Sequence, residues 1–202
     1  MGPSGGHCLP LEHLRRFARL IVLEPDPLAR SILQARLPGV RFELEHRDLL
    51  LEPLLSGAPG LDAVLHPRPH CSLLFCHLLG QVQLELPDEQ RARFEAEFKR
   101  RVLPALAGRS WASFHDRWSL DRAAREPAPC SRRFERRPSD EELGVAWFGA
   151  EGAPIIAFEH DASRLFPESW PRSYFSWQLT PKALHVVEAV AGGPGHQLGS
   201  AS

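Results

Sequence analysis

At 202 residues and 22.6 kDa, with 43% hydrophobic and 24% charged residues, the chain has the make-up of one folded domain rather than of a disordered segment. A net charge of -1 supplies no field that would draw the whole molecule onto nucleic acid or an anionic membrane, so any charged partner is recognised locally. No run approaches the roughly 18 apolar residues of a membrane span.

The opening MGPSGGHC is rich in glycine and leads into Leu11, Leu14, Phe17 and Ala18, whose spacing predicts a helix over 10–18. Leu20 to Leu23 form a compact, β-branched run that suits a buried parallel strand. The run ends in Glu24-Pro25-Asp26-Pro27, where Asp26 is placed to cap a helix and Pro27 to begin it. Leu28, Ile32, Leu33 and Leu37 are expected to line one face of that helix, which Pro38-Gly39 stops. Val40, Phe42 and Leu44 alternate with polar neighbours as a second strand, running out into His46-Arg47-Asp48.

A third strand is expected at Leu61–Leu65, ahead of His66-Pro67-Arg68-Pro69-His70, and a short buried helix over 72–80. Residues 88–106 carry Phe94, Phe98, Val102 and Leu106 on one face and are the clearest helix. Trp111–His115 reads as a fourth strand. The Arg-rich stretch 120–138 is expected to be an exposed loop or ragged helix. Ser139 with Glu142 is a capping-box signal. Strands at Ala153–Phe158 and Ser173–Leu179 are followed by a helix from Thr180-Pro181 carrying Leu184, Val187 and Val190. Between those strands, Asp161 to Phe166 is expected to be a turn or short helix. Together these elements predict one α/β domain over 1–191: a Rossmann-like, mostly parallel sheet with helices on both faces and an antiparallel edge near the C-terminus. Residues 192–202 are expected to form a disordered tail.

In such a sheet ligands bind beyond the carboxyl ends of the strands. Gly2, Gly5 and Gly6 precede a helix and are suited to let backbone amides approach an anionic group; a loose terminus explains them equally. Glu24 ends a strand about 20 residues later, the distance at which an acid meets ribose hydroxyls in dinucleotide folds, or it is a solvated carboxylate near a helix start. Asp48 follows the next strand, positioned to accept from an exocyclic amine or to cap a turn.

Read in order, GPSGGHCLPLEHL, LIVLEPDPLARSIL, VRFELEHRDLL, LDAVLHPRPHCSLLFCHL and LAGRSWASFHDRW resemble the successive motifs of class I S-adenosylmethionine-dependent methyltransferases, over roughly residues 1–120. SYFSWQLTPKALHVVE is similar to the family's terminal strands and helix. The resemblance implies that Gly2, Gly5 and Gly6 hold the methionine part of the cofactor S-adenosylmethionine and that Glu24 holds its ribose. It gives the adenine to Asp48 and Leu49, and places His66, Pro67 and Arg68 facing the methyl group. The implied activity is methyl transfer to a small-molecule or macromolecular acceptor. Two departures accompany it. Gly-x-x-Gly-Gly replaces the usual glycine spacing, and the family's first strand, which precedes the glycine loop, is absent because only Met1 stands before Gly2. The reading adopted is a truncated amino end, with the start codon placed too late.

Other clusters carry other chemistry. Cys8, Cys71, Cys76 and Cys130 have no secretory leader ahead of them and read as reduced thiols of a cytoplasmic protein. His70-Cys71 and Cys76-His77 do not have the spacing of a structural zinc site, and buried thiols are the better reading, so no structural metal is expected. His115-Asp116 and His160-Asp161 are placed for acid–base work, although loop polarity accounts for them as well. Arg122, Arg125, Arg132, Arg133, Arg136 and Arg137 are interspersed with acids, so a solvated loop is favoured over an RNA surface. Two alternatives stand beside the enzyme: a catalytically inactive methyltransferase-like binding or scaffold domain, and a degenerate response-regulator receiver. The receiver would need an acceptor aspartate after Leu61–Leu65, where this chain has His66.

Overall fold

The computed structural model describes residues 1–4, 6, 9, 11–121, 130–149 and 158–194. A single helical turn, α1 (Leu11–Leu14), replaces the longer helix expected over 10–18. Strand β1 (Ile21–Leu23) pairs in parallel with β2 (Glu43–Glu45), joined by α2 (Pro27–Arg36). Asp26 caps α2 as its sequence predicts, accepting the Leu28 amide at 2.8 Å. The buried face of α2 is Ala29, Leu33 and Leu37, whereas Leu28 and Ile32 are exposed. The helix is rotated relative to the expectation because its inner stripe runs at four-residue steps from Ala29.

The chain then departs from the expected pattern. Helix α3 (Leu51–Ser56) is followed by α4 (Leu61–Leu65), in place of the expected strand. A five-residue apolar run does not distinguish the two by pattern. Here Leu61 and Leu65 bury one helical side, and Asp62 between them takes both arms of the Arg101 guanidinium at 2.8 and 3.1 Å. The expected helix over 72–80 is instead β3 (Leu73–Cys76) followed by α5 (Leu78–Glu85). His77 makes the corner with φ 55°.

Helix α6 (Asp88–Glu97), a π-helical turn at Phe98–Val102 and α7 (Leu103–Leu106) form the long helix predicted over 88–106, with Phe94, Phe98, Val102 and Leu106 all buried. The π turn has a local cause: Pro104 lacks an amide and its ring would meet the carbonyl four residues back, so the ladder widens to pass it. Strand β4 (Trp111–Leu120) pairs in parallel with β3. β5 (Ser131–Phe134) is an edge strand paired with β7, not a loop.

The capping box of Ser139 and Glu142 starts α8 (Asp140–Phe148) as predicted. β6 (Phe158–Glu159) pairs with β4, and a 3-10 turn spans Asp161–Leu165, the short helix expected there. The remainder of the strand expected at 153–158 lies outside the described residues, as do Cys8, Arg122 and Arg125. β7 (Arg172–Thr180) and β8 (Ala183–Gly192) form a hairpin, and β8 lies between β7 and β4, antiparallel to both. The predicted final helix is therefore a central strand. Val186, Val187 and Val190 are stiff at χ1 and fit a pleated surface buried on both sides. The tail expected from Gly192 begins at the end of this strand, and 195–202 lie outside the described residues.

The fold is mixed α/β, but a mostly parallel sheet is not what the strands form. A parallel pair, β2-β1, stands beside a larger sheet ordered β3-β4-β8-β7-β5, in which β3-β4 is parallel and the other pairs are antiparallel. On the larger sheet the helices lie on one face, not on both as expected: Val186 and Val190 of β8 point to the same side, where α3 to α7 pack around Phe75, Phe94 and Phe98 and α8 packs Leu143 and Trp147 against Trp118 and Val186, while Phe175 and Trp177 on the other side are exposed. Met1 and Gly2 link the two sheets. The Met1 amine donates to the Leu74 carbonyl at 2.6 Å, the Cys76 amide donates to the Met1 carbonyl at 2.9 Å, and the Gly2 amide donates to the Leu23 carbonyl at 2.9 Å.

Candidate functional site

The carboxyl end of β1 delivers Glu24 beneath the Gly-rich opening. One of its carboxylate oxygens accepts the Ser4 amide at 2.9 Å and the other the Asp26 amide at 3.2 Å, and the residue is 6% exposed. The loop and the strand-end acid are thus neighbours, as the motif order implies. The glycines serve backbone shape. Gly2 has φ 61°, and a Cβ there would lie 2.8 Å from Leu78 Cβ; Gly6 has φ 70°, with a Cβ 2.5 Å from Leu33. Gly5 lies outside the described residues.

The remaining predicted positions separate. Asp48 is exposed, and its carboxylate accepts the amides of Leu50, Leu51 and Glu52 at 2.7–3.0 Å, so it closes the first turn of α3 and is not a group free for adenine. Leu49 is buried in the main core. His66, Pro67 and Arg68 follow a helix and precede β3, so they sit at the amino end of that strand, opposite Glu24. They are corrected out of the methyl-facing position because the segment before them does not belong to the sheet. The same strand divides the thiol–histidine quartet. Cys71, beside the Arg109 guanidinium, precedes β3, and Cys76 and His77 lie at its far end, about 13 Å along a four-residue strand.

The carboxyl ends of β3 and β4 gather a cluster that sequence spacing does not show. The His77 ring lies 3.7 Å from Asp116, and His185 Nδ1 lies 3.3 Å from the same carboxylate oxygen. Ser119 Oγ is 3.0 Å from His160 Nε2 and 3.3 Å from His185 Nδ1. Strand register explains this grouping. Ser119 stands opposite His185 on β8, and His185 stands opposite Trp177 on β7, so three distant residues form one row across the sheet. Trp177 and His77 have ring centroids 5.9 Å apart, and His77 meets Phe114 edge-on at 4.7 Å.

A second row lies deeper. His115, Glu188 and Tyr174 oppose one another on β4, β8 and β7. The Tyr174 hydroxyl donates to Glu188 at 2.7 Å, and the Arg172 guanidinium lies 3.0 Å from the same carboxylate with both side chains wholly buried. The irregularity between Asp116 and Trp118 shifts the strand between these rows. His115 and Asp116, as successive strand residues, point to opposite faces of the sheet, so they serve different networks and do not act as an adjacent acid–base pair.

Burial pushes the His77 and His160 imidazoles below their ordinary pKa, against the attraction of Asp116. Burial acts to raise the Asp116 pKa, but the His185 ring and the charge of His77 outweigh it and hold the carboxyl below its usual range. The cluster is therefore an ionised carboxylate with His77 and His160 biased toward the neutral form, in which they can accept a proton or orient a polar group. Among the described residues no group of three or more His, Cys, Asp or Glu side chains is arranged to hold a metal ion, and no helix is long and apolar enough to cross a membrane. Of the arginines in the Arg-rich stretch, Arg133 pairs with Glu135, Arg136 with Glu142 and Arg137 with Glu168, and Arg132 lies over the Trp147 ring.

No family model, curated protein or solved structure matches the chain.

Proposed function

We propose that the chain is an S-adenosylmethionine-binding domain of the methyltransferase type, with Glu24 as the carboxylate that holds the ribose. The observation that carries the reading is the Ser4 amide on Glu24. A Gly-rich loop and a strand-end acid distant in sequence meet at the carboxyl side of a parallel pair, where open α/β sheets bind nucleotides. The order β2, β1, Met1–Gly2, β3, β4 adds support. A Rossmann-like half would have strands progressing outward on both sides of one point, with ligands gathered at that switch point, and this order is compatible with one.

Within this reading the strand fourth in the family's order is β3, so the loop facing the methyl group is Cys76-His77-Leu78. The groups suited to the cofactor are Glu24, the Ser4 amide and His77, and binding requires the ribose to replace the Ser4 amide on the carboxylate. Methyl transfer to an atom already nucleophilic needs mainly alignment. His77 and Trp177 would supply one wall for a small acceptor, and the cytoplasm is the proposed compartment.

One observation favours the second reading, a domain of the same type that binds or scaffolds without catalysis: both oxygens of Glu24 are engaged by the chain's own amides. The receiver-like alternative lacks the strand it needs, since 61–65 is helical. Titration calorimetry with S-adenosylmethionine on the chain and on Glu24→Ala separates the first two. Binding that weakens at least about tenfold on substitution, a loss of about 1.4 kcal/mol, supports the ribose role. Equal heats for both proteins remove Glu24 from the site, and no heat from either, with the fold intact by circular dichroism, selects the silent domain.

A further inference from the structure

Asp116 lies on the face of the larger sheet opposite the helices, the face that also carries Trp177, which is 40% exposed. Asp116 itself is 8% exposed, and its Oδ1 is buried without a hydrogen bond. The nearest donor, His185 Nδ1, is 3.3 Å away and stands equally far from Ser119 Oγ, so its one proton cannot serve both. Among the described residues the ion-pair partners of Asp116 are two imidazoles, His77 and His185, and no lysine or arginine pairs with it. A buried carboxylate without a permanent cation is costly. It stays ionised here against the burial that acts to raise its pKa, while burial pushes His77 and His160 toward the neutral form. The backbone contributes as well. His77 makes its corner at φ 55°, a costly conformation for a residue with a Cβ, and that corner brings its ring to within 3.7 Å of Asp116.

We propose that this cluster is a binding site for a primary alkylammonium group, with Asp116 as its counter-ion and Trp177 as its wall. The His77 and His185 side chains are 23% and 20% exposed and that of Asp116 is 10% exposed, so the ligand meets the rings and the edge of the carboxylate together. An ammonium is a point charge with three N–H donors, which it can divide between the His77 ring and that edge. A guanidinium pairs best as a fork on both oxygens of one carboxylate, and Oδ1 lies buried beneath the rings. The Trp177 ring is 5.9 Å from that of His77 and 6.0 Å from that of His185. Its face attracts a cation and takes the apolar stem behind it. A neutral hydroxyl meets the same acceptors but leaves the carboxylate uncompensated, so charge is the selecting feature. The binding rests on the cluster alone and not on the proposed cofactor.

The test titrates n-butylammonium into the full chain at about pH 7.5 with no cofactor present, so that it succeeds or fails separately from the cofactor reading. Binding is read from the backbone amide of His185 by heteronuclear NMR. The expected result is saturable binding that weakens at least about tenfold in Asp116→Asn. Trp177→Ala, a change at an exposed position that keeps the carboxylate, should weaken it about threefold. The neutral counterpart 1-butanol should bind at least about tenfold more weakly than the ammonium. No saturation, equal affinity for 1-butanol, or unchanged affinity in an Asp116→Asn protein that is folded by circular dichroism overturns the proposal. Should Asp116→Asn not fold, Trp177→Ala and 1-butanol decide, and unchanged affinity in the former overturns it. Methylguanidinium binding as tightly as n-butylammonium overturns the choice of an ammonium. A Gly-Gly-Lys-Gly-Gly peptide with blocked ends separates the two sources of the group. Binding at least about tenfold tighter than n-butylammonium upholds the site as one for a protein lysine, and equal or weaker binding upholds it as one for a free amine.

Discussion

The Arg172 guanidinium lies 3.0 Å from the Glu188 carboxylate across two neighbouring strands, and neither side chain reaches solvent. Arg172 also donates to the carbonyls of Trp170 and Pro167, at 3.0 and 2.9 Å, and Tyr174 donates to Glu188. The Arg172 NH groups and one Glu188 oxygen are thus hydrogen-bonded, whereas Nε and the other oxygen face one another without a hydrogen bond and are held by charge alone. Removing one partner leaves the other charged and dry. Glu188→Ala is expected to lower the unfolding free energy by about 3–5 kcal/mol, read from the urea midpoint. A Glu188→Leu, Arg172→Met double variant should recover most of that loss, and a double variant as unstable as the single one would mean that packing, not charge, sets the cost.

Stability is expected to fall with acid in two separate steps. His77 and His160 have folded pKa values below the unfolded one, so the folded protein binds fewer protons than the unfolded chain as the pH drops from about 6.5. Stability declines through that window. Asp116 and Glu188 are held below the usual carboxylate range in the fold, so their contribution is present at neutral pH and is lost only under stronger acid. A series of urea midpoints against pH should show the upper step diminished in His77→Gln and further diminished with His160→Gln, while the lower step is retained.

Gly6 distinguishes backbone packing from ligand approach. Its φ of 70°, and the 2.5 Å separation a Cβ at this position would have from Leu33, disfavour any side chain in the absence of ligand. Gly6→Ala should cost about 1–3 kcal/mol of stability in thermal or urea unfolding with no cofactor added. A stable Gly6→Ala protein that has lost only S-adenosylmethionine binding would reassign the glycine from packing to the ligand.

The Ser139 hydroxyl accepts the Glu142 amide at 3.1 Å, and the Glu142 carboxylate accepts the Ser139 amide at 2.7 Å. Ser139→Ala is expected to destabilise the domain by about 1 kcal/mol, and the effect should be matched in exchange rates at the first turn of α8. Stability unchanged within error would show that α8 is fixed by Leu143 and Trp147 alone.

Features that depend on neighbours within one turn are legible in the sequence. Asp26-Pro27 starts α2 and Ser139 starts α8, since a cap is a contact between residues two or three apart. The stripe Phe94, Phe98, Val102 and Leu106 predicts its helix because residues four apart share one helical face. Glu24 is found for the same local reason: an acid stands just past a short β-branched run.

What the sequence does not decide is whether a short apolar run pairs with something far away. Leu61–Leu65 and Leu73–Cys76 are similar in length and apolarity, yet the first coils against Arg101 and the second joins β4 in the sheet. Spacing is no better a guide at the end of the chain, where Leu184, Val187 and Val190 suit a helical face and still form the strand between β4 and β7. By itself the sequence determined the caps, the long helix and the strand-end acid, all fixed by local covalent geometry. Only tertiary structure decided that Ser119, His185 and Trp177 share a row and that His66–Arg68 lie at the wrong end of β3, because hydrogen-bond partners in a sheet are chosen across distances that no local spacing records.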